Sequence, residues 1–373
     1  MTQRVTIGLP RMRAEVGERR DFLPDFVAML IQAGADVVVE AGVGAGMRLD
    51  VDAYTQAAPG VIFGSHADAY AQDVVLVLRC PDDADLRLMR PDACLMSMLH
   101  YHTRPQRVAF LRQLDVEAIS LDSLQNDRGQ RVMQNFRAVA WNGVEAAFHV
   151  LLKNFPAPGL ESPRRRPVRA ILLGAGALGS VVVQAVVRYG DMDLWKRLAG
   201  AGVPGVQLTV VDFDVTRHEA TMHGILAECD LLIDATQRPD PSRPVIPNAW
   251  VGLMPDHAVL LDLAVDPYNC DSNPPALKGI EGVVGGSLDQ YIFAPDDPAF
   301  DALPACVDST HRRWSVSCYS WPGVHPRPCM ELYAEQLTPL MQALIRAGGP
   351  RGIDPQGPAE HRALSRAMLS RYV

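Results

Sequence analysis

The feature that most limits what this chain can fold into is the hexapeptide GAGALG, Gly174 to Gly179, entered by the apolar run Val168–Leu173 and left by the apolar stretch Ser180–Tyr189. A strand that runs into G-x-G-x-x-G and leaves as a helix opens a βα unit in which each glycine has its own task. Gly174 permits the tight turn, Gly176 removes the side chain where backbone meets a diphosphate, and Gly179 lets the helix pack on the strand. The backbone of Gly176, Ala177, Leu178 and Gly179 then presents N–H groups and a positive dipole end to the phosphates. Asp212, at the end of the next apolar run Val206–Val211, is the acid expected to accept hydrogen bonds from an adenosine ribose. It follows the motif by more than the usual ~20 residues, and Asp191–Pro204 reads as an insertion that explains the delay. Asp214 adds negative charge beside it and disfavours a 2′-phosphate, so the cofactor expected here is NAD. The competing reading is a structural glycine turn in an α/β sheet.

The rest of the chain repeats the alternation. Strand-like runs at Val5–Leu9, Asp36–Glu40, Val74–Leu78, Ala93–Leu99 and Val116–Ser120 are interleaved with helical spacing at Phe22–Ala33 and Gln106–Gln113. Gln134–Lys153 reads as one long helix, and the Pro-rich, basic segment Phe155–Pro167 breaks regularity after it. Beyond the glycine motif, Cys229–Ala235 and Ala258–Ala264 read as further strands, and Glu331–Arg346 as a helix that packs back on the first lobe. Alternating β and α elements predict parallel sheets covered by helices. The expected fold is α/β, two Rossmann-like lobes flanking a cofactor cleft. Residues 1–134 with 322–373 form the substrate lobe, and 135–321 the NAD-binding lobe.

Composition narrows the function classes. With 373 residues and a net charge of −8, the chain has room for two domains and no long basic block, which argues against nucleic acid. Arg164–Arg166 reads as a solvated linker. The opening MTQRVTIGLPRMR lacks the apolar core of a signal peptide, and no window approaches the ~18 apolar residues of a membrane span. Seven cysteines at irregular spacing suggest neither a disulfide framework nor a metal knuckle. They read as small buried hydrophobes in a reducing, cytoplasmic compartment. His218 and His223 lack a cysteine pair to complete a zinc site, so no metal is expected.

Four residues near strand ends carry the candidate chemistry, because ligands of parallel sheets gather at the carboxyl ends of strands. His100 follows LMSML and has the pKa to pass a proton. Arg20 precedes a helix and Arg79 ends VVLVL, and each could hold a carboxylate as a fork. Asp266 follows VLLDLAV. Singly, each has a bland reading as a structural histidine, a surface charge or a turn former.

Longer blocks around these residues resemble the superfamily of alanine dehydrogenase, nicotinamide nucleotide transhydrogenase and lysine-forming saccharopine dehydrogenase. The opening IGLPRMRAEVGERRDFLP is similar to the family's first segment and puts Arg20 on its substrate-carboxylate arginine. VVVEAGVGAGMRLDVDAYTQAA resembles the next block. SMLHYH falls on the active-site histidine, LLDLAVDPYNCD on the strand ending in the active-site aspartate, here Asp266, and SWPGVHPRP on a late Pro-Gly segment. LDSLQNDRGQRVMQNFRAVAWNGVEAAF and the insertion before Asp212 are similar to the saccharopine branch, which implies that Arg131 holds a second carboxylate. At VLRCPD the chain departs from the pattern: Arg79 stands at the catalytic lysine and Cys80 replaces an acidic residue. Arginine does not lose its proton in proteins, so the resemblance leaves proton transfer to His100, with Asp266 or water. It implies an NAD-dependent oxidoreductase of the CH–NH bond of an amino acid or opine-type amine, with 2-oxo acid as the other partner. The alternatives are a catalytically silent NAD-binding regulatory protein and a soluble transhydrogenase-like component. The family includes monomers and larger assemblies, so a homo-oligomer stays open.

Overall fold

The computed structural model describes residues 4–13, 15–101 and 104–372. Ala14 of the opening block and His102 of SMLHYH lie outside them. The chain divides into two compact units, Met1–Asn135 with His325–Val373, and Phe136–Val324.

The first unit holds a six-stranded sheet of β1 (Thr6–Leu9), β2 (Asp36–Glu40), β3 (Ile62–Gly64), β4 (Val74–Arg79), β5 (Cys94–Met98) and β6 (Glu117–Ser120). The order is β3-β2-β1-β4-β5-β6, and every pairing is parallel. β4, reading VVLVLR, is buried along its whole apolar length, as expected of a strand covered on both faces. The last long helix, Pro326–Arg346, belongs to this unit. Met330, Tyr333, Leu337, Met341 and Leu344 recur at helical spacing and are buried in its core. Each fully covered leucine of that stripe contributes roughly 1.5–3 kcal/mol relative to exposure.

The second unit contains β7 (Val168–Leu173), β8 (Val206–Val211), β9 (Leu231–Asp234), β10 (Val259–Asp262), β11 (Ile292–Phe293) and β12 (Trp314–Ser317). They lie in the order β11-β12-β10-β9-β7-β8, with only the β11–β12 pair antiparallel. The helix Phe136–Asn154 lays Ala140, Val144, Ala147, Phe148 and Leu151 against this sheet's core. The segment Asp191–Pro204, expected as an insertion, contains an ordered helix, Met192–Gly200, whose N-cap Asp191 accepts from the N–H groups of Asp193 and Leu194.

Two expectations need correction. Arg164–Arg166 is only partly a solvated linker: Arg164 and Arg166 are exposed, Arg165 is not. Arg165 is buried and donates to the carbonyls of Leu160, Arg166 and Gly205. Arg166 clamps Asp230 through both terminal nitrogens, at 2.6 and 2.7 Å. Spacing could not reveal this, because Gly205 and Asp230 lie tens of residues away. Nor do all cysteines behave as small hydrophobes: Cys94, Cys229, Cys318 and Cys329 are buried thiols, but Cys270 and Cys306 form a disulfide. None of the described helices is long and apolar enough to cross a membrane.

Asp230 shows how the amino edge of the second sheet is tied. Besides Arg166 it accepts from Arg169 N at 2.8 Å and pairs with His257 Nε2 at 2.7 Å. These donors outweigh its burial and hold its carboxyl down to about 2, below the ~3.9 of an unfolded aspartate. Its stabilising effect is therefore complete above the unfolded value and is lost as pH falls through the folded one. Asp230→Asn is expected to cost about 3 kcal/mol at neutral pH and to flatten the decline of stability in acid, both read from urea midpoints across pH.

Candidate functional site

Each sheet has one place where the chain, having added strands on one side of its first strand, crosses to the other side. In the first unit this switch falls between β1 and β4, in the second between β7 and β9. Open parallel sheets bind ligands outside the carboxyl ends of the strands at such points.

At the second unit's switch, β7 ends on Leu173 and the glycine turn begins. Gly174 has φ +93°, and a methyl there would stand 2.9 Å from the Ala235 carbonyl oxygen that follows β9. A methyl on Gly179 would stand 2.2 Å from the carbonyl oxygen of Gly174, whereas Gly176 faces open space. Gly176 caps the helix Ala177–Val186 with no side-chain hydrogen bond, so the first-turn N–H groups have no side-chain cap. Gly174 N donates to Val211 O at 2.9 Å, which sets Asp212 beside the turn. Asp212 is exposed, and its Oδ1 accepts from Phe213 N. Exposed donors at a helix N-terminus with a carboxylate on the neighbouring strand fit a dinucleotide's diphosphate and ribose.

Asp266 lies on the loop after β10. Its Oδ2 accepts from Arg238 Nη2 at 2.8 Å, and Arg238 also donates to the carbonyls of Arg243 and Leu277. The residue before it, Val265, has φ +57°, an outlier for a β-branched side chain. Strain of this kind gathers where surrounding structure holds a functional residue in place. The same unit buries Asp234 and Asp262 at the ends of β9 and β10. Burial foremost, with Asp262 beside it, pushes Asp234 up to about 6.

At the first unit's switch, Arg79 closes β4 and its Nη2 meets Glu15 Oε1 at 2.6 Å. Arg20, on the segment leaving β1, is 2% exposed. Glu18 grips it through Nε at 2.9 Å and Nη2 at 2.5 Å, and Nη1 lies 3.9 Å from Cys329 Sγ. Burial alone would raise the Glu18 carboxyl, but Arg20 and two backbone N–H groups bring it below the usual range. Arg131 is exposed, on the turn bridged by Gln125 and Arg131.

His100 follows β5 in a left-handed conformation, φ +49°. Asp122, on the turn after β6, lies with Oδ2 at 3.3 Å from His100 Nδ1, and its Oδ1 accepts from His100 N and Ser120 Oγ. Burial opposes ionisation of Asp122, yet these donors hold its carboxyl well below the usual range. A carboxylate on Nδ1 orients the imidazole.

The first unit therefore gathers Arg20, Arg79 and His100 at the carboxyl edge of its sheet, and the second gathers Gly174, Gly176, Ala177, Leu178, Gly179, Asp212 and Asp266 at the edge of its own. The sequence reading missed the carboxylates that hold the cations. Glu18 and Asp122 stood inside the quoted blocks GERRDFLP and LDSLQND, but nothing in one chain says which carboxylate faces which cation. Among the described residues no group of three or more His, Cys, Asp or Glu converges as a metal site would.

Comparison with known proteins bears on the fold. Residues 9–140 match the family model described as alanine dehydrogenase/PNT, N-terminal domain. The alanine dehydrogenase of Mycobacterium tuberculosis is 23% identical over 331 residues, 82% of each chain. The NAD(P) transhydrogenase subunit alpha of Haemophilus influenzae is 22% identical over 188 residues, 49% of this chain and 36% of that protein, so the chain spans little more than a third of that relative. A solved L-alanine dehydrogenase superposes with a TM-score of 0.72 at 21% identity, covering 97% of this chain and 94% of the other. The resemblance carried by the motifs is met for the alanine dehydrogenase and transhydrogenase branches, and the two-sheet α/β fold is theirs.

Removing the Glu18 charge isolates a buried guanidinium. Glu18→Gln is expected to cost roughly 3–5 kcal/mol, while the double variant Glu18→Leu with Arg20→Met, which removes both charges together, recovers most of it. Urea midpoints of the single and double variants provide the comparison.

Proposed function

We propose that the chain is an NAD-dependent oxidoreductase acting on the CH–NH bond of an amino acid or an opine-type secondary amine. The observation that carries this reading is the His100–Asp122 dyad at the edge where Arg20 and Arg79 also gather, in a chain whose second unit ends β7 in a dinucleotide turn. NAD bound there would accept hydride from the substrate α-carbon. The first-turn N–H groups from Ala177 onward would hold its diphosphate, and Asp212 its ribose. Asp214 supports NAD over NADP by placing a second negative charge next to Asp212.

Asp122 fixes the Nδ1 side of His100, so Nε2 is the atom that exchanges a proton with the substrate nitrogen or with the water that hydrolyses the imine. Arg20 and Arg79 hold carboxylate by bidentate hydrogen bonding, and Arg131 takes the second carboxylate of an opine-type substrate. Arg79 stays charged throughout, which makes His100 the proton carrier. Asp266, held by Arg238, would supply a fixed negative charge at the carboxyl edge of the second unit's sheet. Relatives named as alanine dehydrogenases support the ammonia-releasing branch, and the LDSLQNDRGQRVM block supports the saccharopine-like branch.

A second reading is a catalytically silent NAD-binding protein. It is favoured by the pairing of Arg20 with Glu18 and of Arg79 with Glu15, which already satisfies both guanidiniums. NADH oxidation with a panel of 2-oxo acids, each offered with ammonia or with lysine, ornithine and other amines, separates the two. The enzyme reading expects turnover with a particular acid–amine pair and a roughly 10²–10⁴-fold loss of kcat in His100→Ala. NADH binding without turnover across the panel would favour the silent protein.

A further inference from the structure

Across the carboxyl edge of the second sheet, Leu173, Asp234, Asp262 and Ser317 stand in one register row. Register neighbours on parallel strands project to the same face. Two carboxylates are thus set side by side, 1% and 2% exposed. Among the described residues one ammonium pairs with them: Lys278, itself buried, bonds Asp262 Oδ2 at 2.8 Å. Asp262 is complete, because Ser317 Oγ also donates to Oδ2 and Val265 N donates to Oδ1.

Asp234 is incomplete. Both hydrogen bonds described for it, from Thr236 N at 2.9 Å and Thr236 Oγ1 at 2.6 Å, end on Oδ1. Oδ2 faces Gly279, where a methyl would stand 2.0 Å from it. The other cation that faces Asp234 is Arg238, and its hydrogen bonds go to Asp266 and to backbone carbonyls. With both carboxylates ionised, this buried row would hold two negative charges and one paired cation. Taking up a proton costs far less than burying an unpaired charge, and Asp234 is the carboxylate with an oxygen that lacks a described donor.

Asp234 also stands where it matters for a ligand. It ends β9 on one side of the switch, the glycine turn leaves β7 on the other, and the next residue, Ala235, packs its carbonyl against Gly174. A carboxylate here would repel an approaching diphosphate through the low-dielectric interior, whereas the neutral acid would not.

We infer that dinucleotide binding at the switch point is coupled to protonation of Asp234, the form without the buried negative charge being the one that binds. The inference rests on the dinucleotide reading of the glycine turn. Asp234 is a binding and positioning residue here, distinct from the proton carrier His100.

Fluorescence titration of the full chain with NADH from about pH 5.5 to about pH 7.5 should show affinity falling by roughly tenfold or more as Asp234 ionises. Asp234→Asn does not ionise, so its affinity should stay level over the same range. Calorimetry of the wild type in two buffers of different ionisation enthalpy reads the coupling without a variant, as uptake of close to one proton per NADH at about pH 7. A level wild-type affinity, absence of proton uptake, or a wild-type slope in Asp234→Asn overturns the inference. NADH that fails to bind the wild type at any pH overturns the dinucleotide reading beneath it.

Discussion

Parallel strands cannot be joined by a tight turn, and every other feature of this protein follows from that constraint. Each strand must be left at the same edge and re-entered at the opposite one after a crossover. In both units the loops that leave strands collect at the carboxyl edge, and the loops that enter them collect at the amino edge. The two edges are consequently free to differ in chemistry, and they do.

At the amino edges, buried or half-buried carboxylates are saturated with donors. Asp73, just before β4, accepts from Thr6 N, Thr6 Oγ1 and Arg90. Asp230, just before β9, accepts from Arg166, Arg169 N and His257. Each precedes the strand laid beside its sheet's first strand, so the same device locks the same joint twice. At the carboxyl edges the pairing is tighter in places and unfinished in others. Glu18 covers Arg20, Asp122 orients His100, and Lys278 completes Asp262, while Asp234 is left with one oxygen without a described donor. A buried ion pair adds little net stability, because desolvation offsets the attraction. These pairs make better sense as devices that hold charged groups in defined positions where ligands arrive.

Backbone geometry points the same way. Val265 and His100 both adopt left-handed φ, one immediately before Asp266 and the other at the imidazole itself. Such conformations are unfavourable for side chains of this shape and persist only when neighbouring contacts over-determine them. Here the contacts are Asp262 Oδ1 to Val265 N and Asp122 Oδ1 to His100 N. A carboxylate fixes the turn in each case, and the turn aims the candidate side chain.

Much of this was legible in the sequence. Apolar runs of strand length, helical spacing between them and a glycine motif in the right context are local signals, and nine of the twelve described strands appear where those signals stood, with ends displaced by a residue or two, whereas β3, β11 and β12, short or only partly apolar, had no such signal. The glycine turn was legible because its requirements, positive φ at Gly174 and close approach at Gly179, are met by residue type alone. The positions of Arg20, Arg79, His100 and Asp266 at strand ends could be read for the same reason. What faces each of them could not. Arg166 meets Asp230, His100 meets Asp122 and Cys270 meets Cys306 across separations that no periodicity encodes, and a run of three arginines looks solvated until the strand that needs them is in place. The sequence by itself determined the layered α/β architecture and the location of the dinucleotide turn, because both follow from local hydrophobic pattern and backbone conformation. Only the tertiary structure decided which charges are paired, which are buried and which carboxylate is left to carry a proton, because those depend on register between strands and on the desolvation that packing imposes.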